Sequence, residues 1–231
     1  MQFTLDKGHF ITGDLMNRKD AMKNFTAFPI YGITAEAMSA GRDNYTVVKA
    51  MLEAGIRFIQ YREKEKSGLA RYEECLKLKE LVASNGGTFI IDDFADLALA
   101  VDADGVHIGQ DDLPPEKVRE LLGPDKVIGL STHSPEQLDK ANAMGDIIDY
   151  VGVGPVHSTQ TKKTAQPVGL EYVAYAVKNA RVPFVAIGGL KENNIHEVRD
   201  AGAQVASVVS EITGAQDIVS KVRALALHME R

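Results

Sequence analysis

Cysteine is almost absent. Cys75 is the one cysteine in 231 residues, which excludes a disulfide framework and a cysteine-based zinc cluster and suits a reducing cytosol. Positive charge is also short: 26 Lys and Arg stand against 32 Asp and Glu, a formal net charge of −6, with a pI near 5.5. Such a surface has no global attraction for nucleic acid or acidic lipid, so any phosphate binding must come from a local site. Aromatics make up 6% and are scattered, without a stacking platform or basic stripe for RNA or DNA. No apolar run is long enough for a leader core or a membrane span. No H-x-x-H or H-E-x-x-H spacing points to zinc, and no Pro/Gly/Ser linker or low-complexity run divides the chain.

What remains is an ordinary globular composition, 45% hydrophobic and 25% charged, over a length common among single α/β barrels. From Phe28 onward, β-branched runs alternate with helical patterns. The runs are FPIYGIT (28–34), RFIQYR (57–62), TFIID (88–92), DGVHI (104–108), KVIGLS (126–131), IDYVGVG (148–154), VPFVAIG (182–188) and VASVVS (205–210). Between them, stretches such as NYTVVKAMLEAG and LARYEECLKLKELVASNG repeat apolar residues at three and four positions and end in Gly. Strands apolar throughout, each followed by a helix, imply a parallel sheet covered on both faces. Eight such units predict a single-domain (β/α)8 TIM barrel over 28–231. An open doubly wound sheet usually has fewer strands and a G-x-G-x-x-G first turn, which GITAEAMSAGRD lacks. Residues 1–27 read as an N-terminal extension, a helix or short strand packed on the outside.

In a barrel, chemistry gathers at the carboxyl ends of the strands. The second run ends in QYREK, where Gln60, Arg62 and Lys64 lie two apart and point to one side of an extended chain. The third ends in Asp92 and Asp93, and the fourth is followed by Gln110, Asp111 and Asp112. The fifth ends in Ser131, Thr132 and His133. A long loop with Thr159, Thr161, Lys162 and Lys163 follows the sixth. Asp93 and Asp112, on neighbouring strands near basic residues, are candidate Mg²⁺ ligands, since that ion takes one or two carboxylates plus water and phosphate oxygens. The competing reading makes each aspartate a helix cap. Gly188 and Gly189, with Val209 and Ser210, suit a second anion site, although a Gly pair also serves turn geometry alone. His107 alternates with buried residues and reads as a satisfied core residue. His133 and His157 read as polar lining, and Cys75 as structural.

Together the motifs resemble the thiamine-phosphate synthase family, over about Phe28 to the C-terminal helix. QYREK is similar to its Q-x-R-x-K, and GVHIGQDDLP to its G-V-H-x-G-Q-x-D-x-P. GLSTH, GPVHSTQTKKTAQPVGL, VPFVAIGGL and VVSEI follow in family order. The resemblance implies a Mg²⁺-dependent transferase that couples a pyrimidine diphosphate to a thiazole phosphate with loss of pyrophosphate. It implies contacts to the pyrimidine diphosphate from Gln60, Arg62 and Lys64, with Lys162 also holding the diphosphate, and Mg²⁺ on Asp93 and Asp112. Ser131 would lie near the pyrimidine, with Thr159, Thr161, Gly188, Gly189, Val209 and Ser210 on the thiazole phosphate side. Arg62, Lys64, Lys162 and Ser131 are the candidate catalytic residues. The implied setting is cytoplasmic, with small-molecule partners, no nucleic acid or membrane, and room for a homo-oligomer.

The chain departs from the family's I-N-D-R segment, which here is Ile91-Asp92-Asp93-Phe94. Asp92, grouped with the substrate contacts, could be an added metal ligand, could be protonated, or could weaken diphosphate binding; Phe94 removes a cation. Two rivals follow: a thiazole tautomerase of the same superfamily using His133 as proton shuttle, and a non-catalytic phosphometabolite-binding barrel.

Overall fold

The computed structural model describes residues 17–159 and 166–230. Its strands are β1 (Gly32–Ile33), β2 (Phe58–Tyr61), β3 (Thr88–Asp92), β4 (Gly105–Ile108), β5 (Val127–Thr132), β6 (Tyr150–Val153), β7 (Phe184–Ile187) and β8 (Ala206–Ser207). All pair in parallel in sequence order. A parallel bridge between Ile30 and Ala206 closes the ring, through Tyr31 N–H donating to the Ala206 carbonyl and Ala206 N–H to the Pro29 carbonyl, each at 2.9 Å. The expected (β/α)8 barrel is therefore the fold. The first and last strands are shorter than the runs 28–34 and 205–210, and Ser210 already begins a helix.

The helices are α1 (Arg18–Ala27), α2 (Asn44–Ala54), α3 (Gly68–Ser84), α4 (Ala95–Ala100), α5 (Pro115–Leu122), α6 (Pro135–Ala143), α7 (Gly169–Asn179), α8 (Ile195–Asp200), α9 (Ser210–Thr213) and α10 (Ile218–Met229). Local chemistry starts and stops them. Asp43 accepts from Thr46 N–H at 2.8 Å to cap α2, and Gly55 ends it at φ 114°. Ser134 caps α6 ahead of Pro135 at its first position. None is long and apolar enough to cross a membrane among the described residues.

Every strand alternates strictly. Ile59, Tyr61, Phe89, Ile91, Val106, Ile108, Ile128, Leu130, Val151 and Val153 point outward into the layer shared with the helices. Tyr31, Phe58, Ile90, Val127, Tyr150, Val185 and Val205 point inward and fill the amino-terminal half of the barrel. Helix α1 closes that end. Its Ala21 and Phe25, one turn apart, are 1% exposed and belong to the interior cluster. Residues 18–27 thus pack into the barrel floor, because an apolar i,i+4 pair finds its burial there, while residues 1–16 lie outside the described residues. Phe25, Tyr31, Phe58 and Tyr150 form one aromatic floor with centroids 4.9–6.0 Å apart.

Candidate functional site

Above this floor the inward positions turn polar: Gln60 on β2, Asp92 on β3, His107 on β4, Ser131 on β5 and Ser207 on β8. With the loops beyond, they line a cavity of about 570 Å³ at the carboxyl ends of the strands. That volume lies within the usual range for a small-molecule site.

Gln60, Arg62 and Lys64 all line this cavity, although β2 ends at Tyr61. The opposite parity faces the helix layer. Tyr61 hydroxyl donates to Glu74 Oε2 at 2.6 Å, and Glu63 Oε1 accepts from Glu36 N–H at 2.9 Å and Asn44 Nδ2 at 3.0 Å. These bonds hold the segment extended past the ladder, so the row keeps its common direction.

The cations meet carboxylates. Lys64 Nζ lies 2.6 Å from Asp93 Oδ2 and 3.8 Å from Asp92 Oδ2, and Arg62 Nε lies 3.5 Å from Asp92 Oδ2. Asp92 Oδ2 is buried and accepts no hydrogen bond. Burial raises the Asp92 carboxyl to about 7; Asp93 adds to the rise, while Arg62 and Lys64 oppose it. A carboxyl poised there is protonated about half the time near neutral pH.

Neither Asp93 nor Asp112 caps a helix. Helix α4 has Phe94 and α5 has Pro114 at the N-cap position, without side-chain caps. Asp93 instead centres a three-residue turn, with Phe94 N–H donating to the Asp92 carbonyl at 2.8 Å and φ at 62°. A non-glycine residue in that conformation is strained, and such strain concentrates at functional sites. Asp112 Oδ2 accepts from Gly109 N–H at 2.7 Å. Burial raises its carboxyl above the ordinary range; the Gly109 bond opposes this and the adjacent Asp93 charge adds to it. Two hard oxygen donors that repel each other fit a divalent ion such as Mg²⁺, which would relieve the repulsion. No group of three or more potential ligands occurs among the described residues.

Ser131, Thr159, Gly188, Gly189, Val209 and Ser210 line the same cavity, whereas Thr161 and Lys162 lie outside the described residues. The Gly pair has φ of 100° and 65°, and a Cβ would lie 2.3 Å from Pro155 at Gly188 and 2.5 Å from the Ser158 carbonyl at Gly189. Turn geometry therefore demands glycine there, and the turn also borders the cavity. Phe94 is not among the lining residues. Its ring is covered by the Arg71 guanidinium at 3.8 Å.

The histidines and the cysteine divide between the cavity and its surroundings. His133 Nδ1 donates to the Gly154 carbonyl at 2.5 Å. His107 is satisfied at both nitrogens, with Nδ1 3.0 Å from Tyr150 hydroxyl and Nε2 2.9 Å from Ser131 Oγ. Burial pushes it down to about 4, so it is neutral. His157 pairs with Glu197 at 3.2 Å, away from the cavity. Cys75 is buried on α3, and burial raises its thiol. Tyr31, Lys191 and Ser207 also border the cavity. Tyr31 and Ser207 sit inside apolar strand runs, where parity is the one signal that could have found them.

In class this is a (β/α)8-barrel enzyme, with its polar constellation on the strand ends where that architecture carries chemistry. The model of the family described as thiamine monophosphate synthase matches residues 30–212, and the chain belongs to that family. The thiamine-phosphate synthase of Pelotomaculum thermopropionicum is 56% identical over 91% of this chain and 96% of its own length. That of Caldicellulosiruptor saccharolyticus is 48% identical over 91% and 95%. Among solved structures, thiamine phosphate pyrophosphorylase from Pyrococcus furiosus superposes with a TM-score of 0.80 at 33% identity, covering 88% of this chain and 96% of that one.

Proposed function

We propose that this cavity joins 4-amino-5-hydroxymethyl-2-methylpyrimidine diphosphate to 4-methyl-5-(2-phosphooxyethyl)thiazole, releasing pyrophosphate and forming thiamine phosphate. One observation carries the reading: the Gln60–Arg62–Lys64 row shares a single cavity with the Asp93–Asp112 pair. A diphosphate needs cations, a divalent ion accompanying it would need hard carboxylates, and the cavity holds both.

Asp93 and Asp112 would hold Mg²⁺, which offsets the charge developing on the departing diphosphate. Arg62 and Lys64, with Lys162 from the loop after β6, would bind the diphosphate oxygens and favour the same charge. Lys64, paired with Asp93 at 2.6 Å, lies within reach of the same site and would contribute its charge to the diphosphate oxygens. Ser131 and Gln60 would hold the pyrimidine, whose electron-rich ring can carry the cation left by a dissociative departure. The thiazole phosphate would lie against Thr159, Thr161, Gly188, Gly189, Val209 and Ser210. Its ring nitrogen is a nucleophile without a proton to lose, so no general base is needed. That suits a cavity whose most buried histidine is neutral and fully bonded. Juxtaposing the two substrates contributes the rest, since effective molarities of well-oriented reactants reach roughly 10⁵ M or more. A cytoplasmic setting, with small molecules as partners, completes the reading.

Mixing both substrates with the protein and Mg²⁺ tests it: thiamine phosphate and pyrophosphate should form in equal amounts. Tight binding without turnover would favour a binding barrel, and isomerisation of a thiazole carboxylate phosphate alone would favour a tautomerase acting through His133.

A further inference from the structure

Five side chains, four from strands β2, β4, β5 and β6 and one from Tyr31 just ahead of β1, form an unbroken hydrogen-bond path under the cavity. Gln60 Nε2 lies 3.2 Å from Tyr31 hydroxyl, Tyr31 hydroxyl 2.8 Å from Tyr150 hydroxyl, Tyr150 hydroxyl 3.0 Å from His107 Nδ1, and His107 Nε2 2.9 Å from Ser131 Oγ. The two ends, Gln60 and Ser131, are both cavity-lining groups. The middle members are buried, with Tyr31 2%, Tyr150 0% and His107 9% exposed, so water does not compete for their bonds.

Counting protons gives this path a direction. The Gln60 amide nitrogen can only donate, so Tyr31 oxygen accepts from it. Tyr31 has one proton, and its neighbour on the path is Tyr150. Tyr150 accepts that proton's bond and gives its own to His107 Nδ1. A neutral imidazole that accepts at Nδ1 carries its proton on Nε2, which it donates to Ser131 Oγ. Ser131 keeps its own hydroxyl proton for the cavity, and Gln60 keeps its carbonyl oxygen. The opposite direction requires the Gln60 amide to turn over and the histidine proton to move together. The fold leaves room for the middle of the path: a Cβ on Gly129 would lie 2.2 Å from Tyr150 Cζ and 2.5 Å from His107 Nδ1.

We propose that Tyr31, Tyr150 and His107 are positioning residues that form a one-way hydrogen-bond chain, presenting an acceptor at Gln60 and a donor at Ser131 to the pyrimidine ring. This rests on the reading of the cavity as a pyrimidine site. A 4-aminopyrimidine edge offers an amine donor beside a ring-nitrogen acceptor, the complement of what the chain presents. A 4-oxo analogue offers the reverse pattern and meets unpaired buried groups. The chain thus sets specificity by preventing the Gln60 amide from turning to suit either ring.

The experiment has two arms. Long-range ¹H–¹⁵N NMR of the histidine-labelled, ligand-free protein should show His107 at pH 7 as the single tautomer protonated on Nε2. Protonation on Nδ1, or rapid averaging of both forms, overturns the proposal. Because this arm uses no substrate, it stands apart from the assay for thiamine phosphate, and failure of one does not mimic failure of the other. In the second arm, Tyr31→Phe and Tyr150→Phe each break the chain while retaining the ring. In whichever folds, the preference for the 4-amino over the 4-oxo pyrimidine diphosphate should fall about tenfold, through KM more than kcat. An unchanged preference in a folded variant also overturns it.

Discussion

Asp92 stands beside Arg62, Lys64 and Asp93, yet its buried Oδ2 accepts no hydrogen bond. The family resemblance places asparagine here, and a carboxyl that titrates near 7 is, when protonated, asparagine's closest chemical substitute: one donor and one acceptor of almost the same shape. The linkage has a definite sign. The native pKa is about 7 and the unfolded value near 3.8, so the native state holds a proton that the unfolded state has released between those values. The stability this contributes is full below about pH 4 and lost as pH rises through 7, a loss of about 4 kcal/mol at most. Asp92→Asn abolishes that dependence. In metal-free protein its urea midpoint should match wild type near pH 4 and exceed it at pH 8. Its turnover should equal or surpass wild type, most clearly above pH 7; a large loss would make Asp92 a working ligand. Arg62→Ala and Lys64→Ala should each lower diphosphate turnover at least a hundredfold, about 2.7 kcal/mol of transition-state stabilisation, with the circular dichroism spectrum unchanged. Ordinary kinetics in either would remove the cation row from the mechanism.

At the scale of elements, α1 is the instructive case. Read as sequence, residues 1–27 offered short apolar runs between charges and no reason to be essential. In the structure Asn17 caps α1 by accepting from Asp20 N–H at 3.0 Å, and the helix delivers Phe25 to a floor shared with Tyr31, Phe58 and Tyr150. Phe25→Ala removes a ring that is 1% exposed from a site with aromatic neighbours that cannot collapse into the gap. It should cost about 3–5 kcal/mol in chemical denaturation. A cost under 1 kcal/mol would mean that α1 merely covers the barrel. The strands were legible because β-branched runs between amphipathic helices have few other solutions. Their inward residues were less so. In a parallel barrel both faces are buried, which flattens the period-2 pattern that marks a half-exposed strand. Tyr31 and Tyr150 therefore read as core, while Gln60 and Asp92 were visible because polar residues in such runs are rare. The aspartates at 93 and 112 stayed ambiguous until the helix starts fell at Ala95 and Pro115, past both of them.

The whole molecule divides its labour along the barrel axis: an apolar floor closed by α1 at one end, charged strand ends at the other, with polar side chains between. A charged mouth of this kind is costly without ligand, since Asp93 and Asp112 repel each other and Arg62 and Lys64 pair with Asp92 and Asp93. Ligands that neutralise both signs together should therefore stabilise the protein more than either does alone. On the proposed reading Mg²⁺ would satisfy the acidic pair but leave Lys64 without Asp93, and pyrophosphate would satisfy the cations but face the acids. Added jointly, each supplies the counter-charge the other exposes. The expected outcome is a melting temperature little changed by Mg²⁺ or by pyrophosphate singly and raised clearly by both. Ligand at a hundred times its Kd stabilises by about 2.7 kcal/mol. Asp93→Asn and Asp112→Asn should lose this joint effect, and Arg62→Ala should lose it from the other side. An equal shift from pyrophosphate with and without Mg²⁺ would show that the carboxylate pair holds no metal. The cations would then have to carry the leaving group by themselves.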